Sequence, residues 1–146
     1  MRTIKFRAKV KMPEKRNFAR QECVPEGQWV YGEPHTIDCP IPHIHTVDVG
    51  KQPVDKETIS QFTGLYDYNC KEIYEGDIIE DKEYKYKHLI RYSNNKACFT
   101  ATLVKYVGDD INESFWECDV TQRWINECGK EVIGNIYDNK ELLTQN

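Results

Sequence analysis

The chain has 146 residues, of which 39% are apolar and 30% are charged, and it contains nine Tyr, five Phe and three Trp. A chain of this length ordinarily forms one domain, and its aromatic side chains supply enough apolar surface for a core, which excludes disorder throughout. No uncharged apolar stretch approaches the roughly 18 residues of a membrane span, and the start lacks the apolar run of a signal peptide. We therefore expect one cytoplasmic domain over residues 1–146.

The cysteines are widely separated along a chain that is longer than disulfide-framework miniproteins. This spacing predicts reduced thiols, several of them in the core. The residues concerned are Cys23, Cys39, Cys70, Cys98, Cys118 and Cys128.

The formal charge of −4 is unevenly distributed. Residues 1–20 contain eight Lys or Arg and one acid, a local charge of +7 that leaves −11 on the remainder. Such asymmetry indicates contact with nucleic acid or an acidic partner, or a basic strand that pairs with the protein's own acidic face. The candidate nucleic-acid-binding residues are Lys5, Arg7, Lys9, Lys11, Arg16 and Arg20.

Residues 4–11 alternate apolar and cationic side chains, the pattern of a strand with one buried face and one wet face. Ile4, Phe6, Ala8 and Val10 form the expected buried face. The aromatic segment 27–32 begins and ends with glycine and predicts a second strand, paired with the first as a hairpin.

The segment 33–53 contains four prolines, at positions 34, 40, 42 and 53. Proline excludes a helix here and permits only short or edge strands, such as residues 44–49. We expect this segment to be the least regular part of the fold.

The middle of the chain predicts short strands at 59–65, 72–74 and 78–80, separated by tight turns. Two longer segments, 83–93 and 97–107, are rich in β-branched and aromatic residues and predict a central hairpin. Tyr84, Tyr86, His88, Ile90 and Tyr92 share one face of the first of these strands.

Towards the end, residues 120–128 fit either a strand or a turn of helix. Residues 131–137 predict a buried strand, and Asp138 is positioned to cap a last helical turn through Leu143. The chain therefore reads as mostly β.

Five segments resemble, in order and spacing, the YopX family of phage and prophage proteins: IKFRA (4–8), GQWVYG (27–32), QFTGL (61–65), KEIYEGDII (71–79) and VIGNIYDNKELL (132–143). The resemblance implies a small, mostly β fold with an SH3-like barrel, additional N-terminal strands and a short C-terminal helical turn. It also implies carriage on a mobile genetic element and self-association, and it supplies no catalytic residues.

Two features depart from that family pattern. Asn69-Cys70 stands where the family reads Asn-Gly, and a type I′ turn would place a cysteine at positive φ, at a cost of roughly 1 kcal/mol. We therefore expect a different turn type there. The segment 33–53 has no counterpart in the pattern.

Two other patterns suggest chemistry. Cys39, His43 and His45, with His35 upstream, make a Zn²⁺ site conceivable, but structural zinc needs four ligands in tighter spacings, so we expect surface histidines in a loop. No nucleophile stands on a defined turn beside a base. We predict no catalytic residue, no metal and no cofactor.

Residues 82–92 interleave lysines with tyrosines, a composition that could hold phosphates and stack bases. Strand alternation would send the two residue types to opposite faces, so we expect a buried tyrosine face beneath a solvated lysine face.

These observations favour a non-enzymatic binding or regulatory module of a mobile element that contacts other proteins or copies of itself. The alternative is a nucleic-acid-binding accessory protein that uses the basic N-terminal residues, and the third hypothesis is an enzyme.

Overall fold

Strands dominate the fold, as the alternating patterns predict. The computed structural model describes residues 3–12, 24–35, 42–106 and 117–144. They form two compact units, residues 1–62 (unit 1) and 63–146 (unit 2). No helix in the described ranges is long and apolar enough to cross a membrane. The prediction of a single domain stays a prediction.

Unit 1 is built on an antiparallel sheet in the order β4-β3-β2-β1-β5. The boundary between unit 1 and unit 2 lies within β5, since the last four residues of this strand belong to unit 2. The strands are β1 Phe6–Lys9, β2 Trp29–His35, β3 His43–Thr46, β4 Gly50–Pro53 and β5 Ser60–Tyr66.

The predicted hairpin of the first two strands is confirmed, with Ala8 opposite Val30. These two side chains join Val10, Ile44 and Val54 in a buried core. The predicted burial of Ile4 is wrong, because β1 begins two residues later and the Ile4 side chain is 64% exposed.

Segment 33–53 is more regular than expected. The strand β2 continues through Pro34 to His35 and pairs with β3, which in turn pairs with β4. Gly32 permits this arrangement, because a Cβ atom there would overlap the carbonyl oxygen of His45. Residues 36–41 of the segment lie outside the described residues.

Unit 2 contains a five-stranded antiparallel sheet in the order β10-β9-β8-β7-β11, and the strand β6 beside the end of β5. The predicted central hairpin is confirmed as β8 and β9. The elements are β6 Glu72–Tyr74, β7 Asp77–Glu80, β8 Lys87–Ser93, β9 Cys98–Leu103, β10 Glu117–Asp119, helix α1 Gln122–Asn126 and β11 Glu131–Asn135.

The sheet of unit 2 packs a core on each face. One core contains Ile79, Ile90 and Ala101 together with Ile125 of α1, and the other contains Ile78 and Leu89. Among the described strands, each sheet ends in two edge strands and does not close on itself. The expected SH3-like barrel therefore stays unconfirmed.

The end of the chain differs from the prediction in two details. The strand β11 is not buried throughout, because it lies at the edge of its sheet and exposes Ile133 by 36%. The last turn is a 3₁₀ turn, Lys140–Leu143, preceded by Asn139 rather than capped by Asp138. The Asp138 carboxylate instead accepts a hydrogen bond from the Asn135 side chain at 3.2 Å.

The turn between β5 and β6 is not type I′, as expected, because Asn69 does not have positive φ, but Cys70 nevertheless adopts a φ of 64°. The buried carboxylate of Asp67 accepts hydrogen bonds from the backbone N–H groups of Asn69, Lys71 and Val132, each at 2.9 Å. Three charge-assisted bonds fix the turn and offset the strain at Cys70. The same carboxylate ties the turn to β11.

A half-buried imidazole lies beside the helix of unit 2. The His88 ring packs edge-on against Trp124, with ring centroids 5.1 Å apart, and the Lys130 Nζ lies 4.5 Å from the Trp124 centroid. Lys130 is buried and donates hydrogen bonds to the carbonyl oxygens of Trp124 and Glu127. Burial, and next the Lys130 charge, lower the pKa of His88 to about 4.

Replacing Asp67 with Ala should lower the free energy of unfolding by about 2–4 kcal/mol, because three backbone donors lose a charged acceptor. Urea denaturation measures this loss. The matched control is Asp48→Ala, which removes an exposed carboxylate from another turn and should change stability by less than about 0.5 kcal/mol. Equal, small effects of the two substitutions would contradict the role assigned to Asp67.

Stability should fall as the pH drops from about 6.5 to about 4, in part because of His88. The unfolded chain binds the proton near the ordinary pKa of 6.5, whereas the folded protein resists it to about 4. Full stability is therefore present above pH 6.5, and the loss reaches about 3 kcal/mol below pH 4. The difference between the stability–pH curves of the wild type and His88→Leu isolates this contribution. Parallel curves would show that His88 titrates normally.

Candidate nucleic-acid interface

The sheet of unit 1 has a second face, opposite its core, that carries three of the six candidate residues. The register places Arg7 opposite Tyr31 and Lys9 opposite Trp29, so the four side chains share this face. Lys5 precedes them by strand alternation. We call this surface, made of Lys5, Arg7, Lys9, Trp29 and Tyr31, the cationic face.

Each cation of the cationic face lies against an aromatic ring. The Lys5 Nζ is 5.8 Å from the Tyr31 centroid, and the Arg7 Cζ and Lys9 Nζ are 4.6 Å and 5.5 Å from the Trp29 centroid. Separations below about 6 Å are those of cation–π attraction. The rings therefore hold the cations in fixed positions along the strand.

Arg7 contradicts the expectation of a fully wet cationic face, since its side chain is only 6% exposed. A guanidinium is planar and weakly hydrated, so it can stack on an indole and leave water at a lower cost than an ammonium group. Lys5 and Lys9 are half-buried, and Tyr31 is 44% exposed. The face therefore presents two lysines and an accessible ring around a buried arginine.

The same face continues over β3 and β4. Cross-strand pairs place His35 opposite His43, and His45 between Glu33 and Lys51. The histidines were expected in an irregular loop, but His35, His43 and His45 lie on paired strands. No group of three His, Cys, Asp or Glu side chains in the described ranges is arranged to hold a metal ion.

Unit 1 carries a small net positive charge. Within the described strands of unit 1, Glu33 is the one acidic residue. By composition, residues 1–62 contain ten Lys or Arg and eight Asp or Glu, whereas residues 63–146 contain ten and sixteen. The formal charge is therefore +2 on unit 1 and −6 on unit 2.

The structure brings together three of the six predicted binding residues, Lys5, Arg7 and Lys9. Lys11 is exposed just beyond β1, where its backbone N–H donates to the Pro53 carbonyl oxygen at 3.1 Å. Arg16 and Arg20 lie outside the described residues. Sequence reasoning missed Trp29, Tyr31 and Lys51, although the alternation of residues 29–31 and the predicted hairpin contained the signal for the two rings.

The lysine–tyrosine stretch of unit 2 differs from its predicted form. Residues 82–86 form a turn, in which the Asp81 carboxylate accepts the Tyr84 N–H at 2.5 Å and Lys85 has a φ of 61°. Strand alternation does not apply to a turn, so Tyr84 and Tyr86 are 60% and 55% exposed rather than buried.

The lysines of this stretch are paired with acids. Lys82 forms an ion pair with Glu131, and Lys85 and Lys87 lie 3.9 Å and 3.5 Å from the carboxylate oxygens of Glu80. The Lys82 Nζ also lies 4.9 Å from the ring centroid of Tyr68, which is 56% exposed. We call Tyr68, Tyr84 and Tyr86 with Lys82 the tyrosine surface. The positive charge of Lys82 is balanced by its ion pair with Glu131.

Two of the described thiols, Cys118 and Cys128, have a raised pKa. Cys70, Cys98, Cys118 and Cys128 are free thiols. Burial raises the pKa of Cys118, and a hydrogen bond with Glu83 raises that of Cys128. A raised pKa reduces the thiolate population that attacks an electrophile. Cys23 and Cys39 lie outside the described residues.

A cleft of about 300 Å³ in unit 2 is lined by residues that include Glu75, Arg91 and Tyr137, and by no histidine or cysteine. This volume is at the lower end of the range for small-molecule sites.

Comparison with known proteins places the chain in a family. A family model described as YopX protein matches residues 5–144, and no curated protein matches the chain. A similar solved structure is the crystal structure of protein EF1440 from Enterococcus faecalis. It is 21% identical over 98% of this chain and 99% of that chain, with a TM-score of 0.45. Because the family model spans nearly the whole sequence, this chain belongs to the YopX family.

Proposed function

We propose that this YopX-family protein is a non-enzymatic binding module of a phage or prophage, and that its ligand is nucleic acid. The observation that supports the proposal is the cationic face, where Lys5, Arg7 and Lys9 lie against the rings of Trp29 and Tyr31. This arrangement favours the nucleic-acid hypothesis over the protein-contact hypothesis that the sequence alone favoured.

Phosphate binding explains the combination of charge and rigidity. Cations that neutralise phosphates release condensed counterions, and this release drives sequence-independent binding. Ring contacts restrict the lysine rotamers in advance, which lowers the entropy lost when phosphate is bound. Two acids lie near the cationic face: Glu33, on β2 beyond Tyr31, and Asp55, whose backbone N–H donates to the Lys9 carbonyl oxygen at 2.8 Å.

The triple variant Lys5→Gln, Lys9→Gln, Lys11→Gln should weaken oligonucleotide binding at least tenfold at low salt. The slope of log K against log salt should become shallower by about 2–3, since three phosphate contacts are lost. Fluorescence anisotropy with a labelled mixed-sequence oligonucleotide measures both quantities.

The matched control is Lys82→Gln, Lys85→Gln, Lys87→Gln, which removes the same charge from unit 2 and should retain most of the affinity. Undetectable binding by the wild type, or an equal loss in both triple variants, would overturn the proposed function.

The tyrosine surface supports a second candidate function, self-association. Exposed tyrosines bury large areas at a small cost in side-chain entropy and are frequent at the centres of protein interfaces. A two-fold interface brings a patch against itself, which a patch of cancelling charge tolerates and a uniformly positive patch does not. The tyrosine surface therefore suits a second copy of this chain better than the cationic face does.

Light scattering across micromolar concentrations should show a dimer mass that the double variant Tyr84→Ala, Tyr86→Ala reduces to that of a monomer. Tyr92→Ala removes a ring that is 43% exposed elsewhere on unit 2 and should leave the dimer intact. A wild-type protein that is monomeric at every concentration would refute self-association.

A further inference from the structure

We infer that the cationic face selects single-stranded over double-stranded nucleic acid. This inference rests on the proposed function and adds the class of ligand. It is carried by the position of the aromatic rings, which lie on β2 directly beside the cations of β1.

Trp29 and Tyr31 are centred on the cationic face because they pair directly with Lys9 and Arg7. Any strand whose phosphates reach these cations therefore brings its bases close to the two rings. Tyr31 is the more accessible ring, with 44% of its surface exposed. Bases of a single strand are open to stacking on such rings, whereas a duplex keeps its base faces stacked inside the helix.

The spacing of the cations fits an extended strand. Side chains two residues apart on a β-strand are separated by about 6.8 Å. This distance is comparable to the separation of consecutive phosphates in an extended single strand. Lys5 and Lys9 lie about 14 Å apart along the strand, with the buried Arg7 between them, so they match phosphates two nucleotides apart on one strand.

The imidazoles enlarge the stacking surface. His43 and His45 lie on β3, the next strand beyond β2, and His45 is exposed. Histidine is among the side chains on which unpaired bases stack.

A duplex could use the lysines but not the rings. Its contact with the face would therefore depend on phosphate alone, with the affinity and salt dependence of non-specific binding. Removing the Tyr31 ring should then affect single-strand binding and leave duplex binding nearly unchanged. This difference separates stacking from general electrostatic attraction.

The test compares one DNA sequence, its RNA equivalent and its DNA duplex, each binding to the full chain in the same buffer. The expected result is at least tenfold tighter binding of either single strand than of the duplex. Tyr31→Leu should weaken single-strand binding about tenfold with an unchanged salt slope. Tyr31→Phe, which keeps the ring, should bind like the wild type.

The unfolding midpoints of both variants establish that the sheet survives, and Tyr31→Phe keeps the test valid if Tyr31→Leu does not fold. Equal affinity for single strand and duplex would overturn the inference and leave the proposed function standing. Failure to bind any of the three ligands would overturn both. A loss of salt dependence in Tyr31→Leu would show that the ring acts by positioning Lys5 rather than by stacking.

Discussion

Cations of β1 stack on aromatic rings of β2. This interaction shapes the outer face of unit 1, and the proposed binding of nucleic acid depends on it. An arginine that is 6% exposed needs an environment that accepts its charge, and the Trp29 ring supplies part of it at 4.6 Å. The neighbouring lysines extend the same arrangement towards water. Core packing on one side of the sheet and charge on the other thus follow from one alternating sequence.

Unit 2 obtains its order in a different way. Two buried carboxylates accept backbone N–H groups at turns: Asp67 between β5 and β6, and Asp77, which accepts the Tyr74 N–H at 2.8 Å. Lys130 satisfies the carbonyl oxygens at the end of α1. The buried charged side chains of unit 2 form hydrogen bonds with backbone groups. The exposed charges of Lys82, Lys85 and Lys87 are balanced by ion pairs. Unit 2 is therefore a poor attractor of polyanions.

Much of the fold could be predicted because period-2 alternation and glycine or proline punctuation are local signals. They located β1, β2 and the β8–β9 hairpin, and the resemblance to the YopX family was correct. Errors arose where a hydrogen bond from the backbone to a side chain within a turn decides the conformation. Cys70 adopts positive φ because Asp67 holds the turn, and residues 82–86 turn because of Asp81. The lysines of the site were readable from sequence, but their ring partners depended on the cross-strand register.

The most direct test of the central claim is an NMR titration of ¹⁵N-labelled protein with a short single-stranded oligonucleotide. If the cationic face binds the oligonucleotide, shifted amide and Trp29 indole signals should concentrate on β1, β2 and β3. The signals of Tyr84, Tyr86 and the β8–β9 hairpin should be unchanged. Shifts confined to unit 2, or no shifts under saturating oligonucleotide, would contradict it.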